Sequence, residues 1–560
     1  MNFRYHIIER IIDEVGSDGI DDSLLEVPPD PKMGDFAFPC FSLSKNLKKP
    51  PQAIAEWLAN KFEPDDIISE IRSSGPYINF FLNKARLSEA VLQNVLMKAD
   101  DYGASNVGGG KTVVIDFSSP NIAKPFGIGH LRSTVIGSSL YKIFNAIGYK
   151  SYGVNHLGDW GTQFGKLIVA YKLWGEKEEL EGSPISHLYN IYVRFHEEAK
   201  LMPELNDEAR AWFKKLEDGD KEAQALWELF RELSLEEFKK YYKELDIKFD
   251  SWNGESFYND KMQNIIDILK KKSLLVESEG AMVVELDQAK GKMPPCMIIK
   301  SDGATTYATR DLAAMFFRSQ EFKPEKIIYV VGAEQQLHFN QVFETFNLMG
   351  ISKVELVHAP FGRIQGISTR KGNLIFLEDV IDKAVKLAKA AIEEKNPGLA
   401  KKDIVAKQVG IGAVIFGDLV NDRIKDFVFS WDKYLSFEGE TGPYLQYAHA
   451  RICSIFRKHN QPLPETIDGS QFKESVEHEL IKKIGNFADT IKDAASHYKP
   501  SIIAKYLVDL AQTFSNFYTT CPVLKADKKT REARLQLCKA TQFVLKNGLY
   551  LLGLHAPVEM

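Results

Sequence analysis

Cysteine is scarce in this 560-residue chain. Its five thiols, Cys40, Cys296, Cys453, Cys521 and Cys538, are far apart and odd in number. There is no CxxC pair and no Cys/His cluster, so neither a disulfide framework nor a structural zinc site is supported. A reducing compartment, most simply the cytoplasm, is expected. Long apolar runs are missing as well. None approaches the ~18 residues that a membrane span needs, so no membrane partner is expected. The opening residues MNFRYHIIERIIDEVG carry Arg4, Glu9, Arg10, Asp13 and Glu14. That excludes the apolar centre of a secretory leader, and the acids argue against a transit peptide. Net charge is only -5, which argues against a strongly basic nucleic-acid binder. Its distribution says more: -6 over residues 1–105 and +3 over 436–560, so a polyanion would favour the C-terminal part.

What is present is an ordinary globular composition, 44% hydrophobic and 26% charged, long enough for three to four domains of ~150 residues. Residues 4–15 and 51–62 read as helices and Tyr77–Leu82 as a strand, together a small α+β domain. The stretch DYGASNVGGGK that follows is rich in turn residues and reads as a linker. VVIDF is then a short buried strand, followed by a polar loop, an apolar-periodic helix from about His130 to Ile147, and a strand over Ser151–Asn155. That order is a βαβ unit. Residues 175–275 are Glu/Lys-rich and helix-periodic, a helical insertion. Strand signals return at Met282–Glu285, Met297–Lys300, Ile327–Val331 and Val354–Val357, and 379–395 is again helical. From about Ser436 the chain is nearly all helical. Leu480, Ile484, Phe487, Ile491 and Ala494 share one helical face, and 501–519 and 530–552 repeat the pattern, which predicts a helix bundle.

Gly110-Lys111-Thr112 invites a P-loop reading. The glycine that motif needs upstream is Ser105, and a strand follows instead of a helix, so linker is the better reading. The loop DFSSPNIAKPFGIGHLRST, Asp116 to Thr134, is different. It joins a strand-end carboxylate, a Pro-braced turn, Lys124, two glycines and His130 at a helix N-terminus. Gly127 and Gly129 lack β-carbons and let a nucleotide approach the backbone. Helix N-termini attract phosphates, and Lys124 and His130 can neutralise charge developing on a phosphoryl group. Taken singly, each residue has a blander reading: glycines for a tight turn, the histidine as a cap.

SPNIAKPFGIGHLRST resembles the "HIGH" signature of class I aminoacyl-tRNA synthetases, in the form found in arginyl-tRNA synthetases. Gly34-Asp35-Phe36-Ala37-Phe38-Pro39 resembles that family's additional N-terminal domain, and NHLGDWGTQFG (155–165) its second catalytic segment. YATRD (307–311) and VGAEQQLHF (331–339) resemble its amino-acid site, and GPYLQYAHAR (442–451) the opening of its anticodon-binding bundle. The resemblance covers nearly the whole chain in order. It implies a multidomain α/β protein: an N-terminal α+β domain contacting tRNA (1–105), a Rossmann-like parallel-sheet catalytic domain (111–385) with its helical insertion, a connecting helical segment (386–435), and an all-α anticodon-binding bundle (436–560).

It also implies the reaction, ATP-dependent ligation of L-arginine to its tRNA through an arginyl-adenylate, usually with tRNA bound before activation. Mg²⁺ is expected with the ATP phosphates, without a protein metal site, and the chain is expected to work as a monomer. A guanidinium is always charged and presents a planar fork of donors, so its pocket needs fixed carboxylates. Asp116 and Asp311 are the candidates, with Tyr307 as wall and hydroxyl and Gln335 for a further hydrogen bond. Ser119 and Asn121 fall near the arginine amino and carboxyl groups. The alternative is that Asp116 caps a loop and Asp311 begins a helix. Lys124, Gly127, Gly129, His130, Ser368 and Thr369 are the expected ATP contacts.

Two departures stand out. The first histidine of "HIGH" is Gly127. The second signature, "KMSKS", aligns to Gly366-Ile367-Ser368-Thr369-Arg370 and lacks both lysines, leaving Lys124 as the compensating cation and Arg370 and Lys371 as its competitors. A catalytically inactive tRNA-binding paralogue is therefore the alternative function. In the bundle, Tyr444, Tyr447 and Arg451 are the expected tRNA contacts. The tyrosines offer ring faces to unstacked bases or else pack in the core. Lys525, Lys528, Lys529, Arg531 and Arg534 form a basic stretch that also reads as a solvated helix end.

Overall fold

The computed structural model describes residues 3–175, 182, 184–286, 293–365, 376–428, 430–431, 435–436 and 438–560. They fall into two compact units. The first comprises Met1–Tyr102, Ile452–Phe487 and Leu510–Val544, the second Gly103–Arg451, Ala488–Asp509 and Leu545–Met560.

In the first unit an antiparallel sheet places Tyr77–Leu82 between Phe36–Pro39 and Ile68–Ser74. Helices Phe3–Val15 and Pro51–Lys61 cover it, burying Ile7, Ile11, Ile54 and Leu58 against Phe38 and Phe80. Pro51 suits the first helical position, where no N–H is needed. Gly34 has φ +117°, and a β-carbon there would lie 2.9 Å from the Phe80 carbonyl oxygen, so only glycine fits. Asp35 accepts a hydrogen bond from the Leu82 N–H at 2.9 Å. The Gly-Asp of the N-terminal motif is thus spent on closing this sheet.

The second unit is built on strands β1 (Thr112–Asp116), β2 (Lys150–Val154), β3 (Lys326–Tyr329) and β4 (Glu355–His358). All neighbours are parallel, in the order β4-β3-β1-β2. Val113, Val114 and Ile115, and Ile327 and Ile328, are fully buried, as strands covered on both faces require. Helix α1 (Ile128–Ala146) connects β1 to β2, α2 (Tyr307–Glu321) leads into β3, and α3 (Gln336–Met349) connects β3 to β4. The chain leaves β1 toward one edge and later returns to its other side at β3. Strand order therefore reverses between β1 and β3, and the carboxyl ends there form the crevice where such sheets bind ligands.

The helical insertion appears as Pro184–Leu201, Glu204–Glu217 and Lys221–Glu244, and the Asn155 N–H returns the chain to the sheet by bonding the Ser251 carbonyl at 2.9 Å. Helix Met262–Lys271 buries Ile265, Ile266 and Leu269 in the same core as Leu312, Met315 and Val342, so it packs with the sheet. An antiparallel sheet of Leu275–Ser278, Ala281–Val284 and Cys296–Ile299 precedes α2. Helices Leu377–Lys395 and Lys402–Leu419 pack together, and a two-residue strand, Phe427–Val428, pairs in parallel with Ile364–Gln365. The segment expected to be a helical connector therefore also holds a strand. Gly109 and Gly110 turn at positive φ directly into β1, as linker residues do, and no helix follows Lys111.

The C-terminal helices are Gly442–His459, Ser475–Gly485, Phe487–Ser496, Pro500–Thr520 and Lys528–Leu551. Leu480, Ile484, Phe487, Ile491 and Ala494 are all buried, but Asn486 interrupts the helix between them. Gly485 and Asn486 are poor helix formers, and apolar periodicity is blind to such a break.

Candidate active site

The loop from Phe117 to Gly127 leaves β1 at the switch point. Three of its non-glycine residues, Ser118, Ser119 and Ala123, hold positive φ of 73°, 49° and 56°. Such conformations cost of order 1–3 kcal/mol each and persist only when the surroundings enforce them. Here the surroundings are named side chains. The Ser133 hydroxyl accepts from the Ser118 N–H at 2.9 Å, Asn155 Oδ1 from the Ser119 N–H at 3.2 Å, and the Ser234 hydroxyl from the Ala123 N–H at 2.8 Å. The Tyr242 hydroxyl lies 2.6 Å from Ser118 Oγ. Gly158 exchanges backbone bonds with Pro120 and Ile122, and a β-carbon on it would fall 2.1 Å from Asn121 Oδ1. The second motif is thus the mould of the first.

Gly127 caps α1 with φ -87° and ψ 162°, an extended conformation open to any residue. Its N–H donates to His130 Nδ1 at 3.3 Å, so the histidine is a cap, as the blander reading held. With Nδ1 accepting, the ring proton sits on Nε2. Burial first, then the Lys124 charge, lowers the His130 pKa, which keeps the ring a neutral donor. Gly129 has nothing within 4 Å of an added β-carbon, so the space over it is open. Lys124 Nζ lies 5.8 Å from the centre of the Tyr192 ring. Phe376 bridges to Gly127, and the Leu377 N–H bonds the Phe126 carbonyl at 2.9 Å. Buried Arg132 donates to the Gly362 and Lys425 carbonyls at 2.6 and 3.0 Å. These ties fasten the chain on both sides of the second signature to the first. Ser368, Thr369, Arg370 and Lys371 themselves lie outside the described residues.

Asp116 sits buried at the end of β1, and its charge is already matched. Arg318 Nη1 lies 2.7 Å from Asp116 Oδ2, with both side chains almost inaccessible. The Ser119 hydroxyl donates to Asp116 Oδ1 at 3.0 Å. The expectation that Asp116 faces a substrate guanidinium is revised accordingly: an internal guanidinium occupies it. Arg318 lies between the Tyr258 and Tyr329 rings and 3.3 Å from His156 Nδ1. Burial lowers the His156 pKa, so that ring is neutral.

Asp311 is not a helix cap. Thr306 caps α2, accepting from the Thr309 N–H, while Asp311 Oδ2 lies 2.6 Å from His338 Nε2 on α3 and stays partly accessible. Next to it is Glu255, which sequence reading missed. Burial pushes its pKa up to about 7, the Arg310 guanidinium at 3.5 Å pulls it back, and Asp311 and Asp159 push it further. Asp159 is fully buried, held by Arg231 at 3.1 Å and by the N–H and hydroxyl of Ser256. Asp311 and Glu255 are therefore the least neutralised acids of the group. Tyr307 and Gln335, at the starts of α2 and α3, are exposed at the rim. His338 lies inside the quoted motif at 331–339, and Arg318 two helical turns beyond Asp311. Nothing local marks Glu255.

On helix Gly442–His459, Tyr444, Tyr447 and Arg451 follow one another at i, i+3 and i+7. The Arg451 guanidinium carbon lies 4.9 Å from the Tyr447 ring centre, and its Nη2 donates to the Tyr447 hydroxyl at 3.3 Å. Tyr447 is exposed, and Tyr444 is half-buried with its pKa raised by burial. In the basic stretch, Arg534 pairs with buried Glu477 at 2.7 Å and is structural, whereas Lys525, Lys528 and Lys529 are exposed.

Three family models match the chain: "tRNA synthetases class I (R), catalytic domain" over residues 91–431, "DALR anticodon binding domain" over 445–560, and "Arginyl tRNA synthetase N terminal domain" over 3–82. Arginine–tRNA ligase of Clostridioides difficile (strain 630) is 50% identical over 558 residues, 99% of this chain and 98% of that one. The namesake of Halothermothrix orenii is 48% identical over the whole of both chains. Among solved structures, the arginyl-tRNA synthetase of Thermus thermophilus superposes with a TM-score of 0.83 at 26% identity, each chain covered completely. That of Plasmodium falciparum gives 0.81 at 26% identity, with 100% of this chain and 98% of that one covered.

Proposed function

The chain belongs to the class I arginyl-tRNA synthetases, and from that premise we propose how its residues divide the work of an arginine–tRNA ligase. The arginine carboxylate attacks the α-phosphorus of ATP, pyrophosphate leaves, and arginyl-adenylate forms. A hydroxyl at the tRNA 3′ end then attacks the acyl carbon, and AMP leaves. Neither step needs a covalent enzyme intermediate, so positioning and charge neutralisation carry the catalysis.

The observation that carries this reading is the pair of under-neutralised acids, Asp311 and Glu255, beside the signature loop at the sheet's switch point. In this proposal they receive the guanidinium, with Tyr307 and Gln335 closing the rim. Asp116, locked by Arg318, instead orients the Ser119 hydroxyl, and Ser119 and Asn121 meet the α-amino and carboxylate groups. His130 Nε2 and Lys124 meet the ATP phosphates over open Gly129, with Ser368, Thr369, Arg370 and Lys371 approaching from the second signature. Mg²⁺ would arrive on the ATP phosphates and offset their charge; no group of three potential metal-binding side chains converges among the described residues. Tyr444, Tyr447 and Arg451 contact the tRNA.

The proposal includes the domain division at residues 1–105, 111–385, 386–435 and 436–560. A single chain is the working unit, and the cytoplasm its compartment. All five thiols are free and buried, which suits a reducing environment, and no helix among the described residues is long and apolar enough to cross a membrane. The test is aminoacylation with tRNA, ATP and a panel of amino acids. Charging with arginine alone is expected. Charging with another amino acid overturns the pocket assignment, and tRNA binding without adenylate formation favours the inactive paralogue.

A further inference from the structure

The helical insertion leaves the core after Asp159 and returns through Ser251–Ser256, and one carboxylate ties its two ends together. Asp159 is fully buried. Its Oδ1 accepts from the Ser256 N–H at 2.8 Å and its Oδ2 from the Ser256 hydroxyl at 2.9 Å, across 97 positions of sequence. The Glu255 N–H donates to the Leu157 carbonyl at 2.9 Å. Gly254 lies so close that an added β-carbon would fall 2.5 Å from Asp159 Oδ1. The backbone around Glu255 is thus bonded to one short segment, Leu157–Asp159. The Glu255 side chain is left to meet Arg310, whose Nη1 lies 3.5 Å from Glu255 Oε2.

The insertion itself grips this staple. On helix Lys221–Glu244, Trp227 and Arg231 stand at i and i+4, on one face. Trp227 Nε1 donates to the Asp159 carbonyl at 2.7 Å, and Arg231 Nε donates to Asp159 Oδ2 at 3.1 Å. The Arg231 cation has a second effect. A carboxylate at Asp159 disfavours the ionised form of Glu255, and a guanidinium beside Asp159 offsets that charge.

We propose that Asp159 is a positioning residue for the arginine pocket: with Arg231 balancing its charge, it fixes Gly254–Ser256 so that the Glu255 carboxylate stands beside Asp311 where the guanidinium arrives. The inference rests on the pocket reading above. Asp159, Ser256 and Arg231 have no contact with substrate in this arrangement and act only through Glu255. The charged groups around Glu255 are Arg310 and Asp311 on α2, Asp159, and, through Asp311, His338 on α3.

The test is adenylate-formation kinetics of the full chain with tRNA present. Ser256→Ala keeps the backbone bond to Asp159 and removes the hydroxyl; Arg231→Gln removes the cation and keeps a donor. Both are expected to raise the KM for arginine roughly three- to tenfold, the loss of one hydrogen bond to a charged group, with kcat and the KM for ATP little changed. In a Glu255→Gln background neither should add a further loss, because the effect runs through that carboxylate. Arg231→Gln leaves the Asp159 charge uncompensated, so the pH midpoint of arginine affinity should move upward, and Arg231→Lys should restore it. A lowered melting temperature with unchanged KM and midpoint overturns the proposal, as do losses that add in full to that of Glu255→Gln. Failure of the pocket reading is seen separately: Glu255→Gln alone then leaves the KM for arginine at alkaline pH unchanged.

Discussion

In the proposed pocket, Glu255 makes arginine binding a pH-linked event. Its carboxyl is pushed from the ordinary 4.5 up to about 7, chiefly by burial and further by Asp311 and Asp159. That displacement corresponds to about 3 kcal/mol set against the carboxylate in the empty pocket. An arriving guanidinium supplies the missing positive charge, so the bound state favours ionised Glu255 and releases a proton wherever the free protein is protonated. The direction follows. Above pH 7 the acid is already ionised and affinity is flat; below it, affinity falls by about tenfold per pH unit. Between pH 8 and pH 6 arginine should bind roughly tenfold more weakly, and calorimetry in two buffers of different ionisation enthalpy should count up to one proton released at pH 6. Without arginine the same raised pKa costs stability as pH rises from 4.5 through 7, since the unfolded chain ionises first. Glu255→Gln should bind more weakly at pH 8 and lose the slope. His338, bonded to Asp311, is the competing titratable group. A slope that survives Glu255→Gln and vanishes in His338→Gln refutes the assignment, as does a flat wild-type profile.

Asp311→Asn should lower kcat/KM for arginine by roughly 30-fold or more, the loss of about 2 kcal/mol or more from one charged partner, with the KM for ATP little changed; an unaltered arginine profile would take Asp311 out of the pocket. Lys124→Ala should slow adenylate formation by ~10²–10³-fold in single-turnover kinetics with tRNA present. If that variant stays within about threefold of wild type while Arg370→Ala or Lys371→Ala collapses the rate, the cation comes from the second signature. Gly127→His should be neutral or faster, because φ -87° imposes no backbone strain; a large loss would mean the glycine leaves room for the nucleotide. Gly165→Ala should destabilise the protein, since its β-carbon would fall 1.9 Å from the Ala209 carbonyl and drive two packed helices apart. Overpacking of this kind costs about 1–3 kcal/mol, and an unchanged melting temperature would contradict the packing described.

Much of the architecture is a local property and was legible residue by residue. VVIDF reads as a buried strand because every residue is apolar or at the strand end, and β1 spans Thr112–Asp116. The glycines and His130 mark a helix start because N–H groups go unpaired there whatever the rest of the chain does, and α1 starts at Ile128. Asp311, Lys124 and His130 stand out by their motifs as candidates for the proposed site. Charge neutralisation is different, because it depends on what comes near through space. Only the tertiary structure decided that Arg318 occupies Asp116, that Glu255 from an unremarkable segment stands beside Asp311, and that His130 spends Nδ1 on its own helix cap. Likewise, the strained Ser118 and Ser119 are held by Ser133, Asn155 and Tyr242, residues from three separate stretches of the chain. A carboxylate's availability is set by burial and by the cations within a few ångströms of it. Neither is a property of its neighbours along the chain, so sequence names the acids while the fold determines which of them remain to meet a guanidinium.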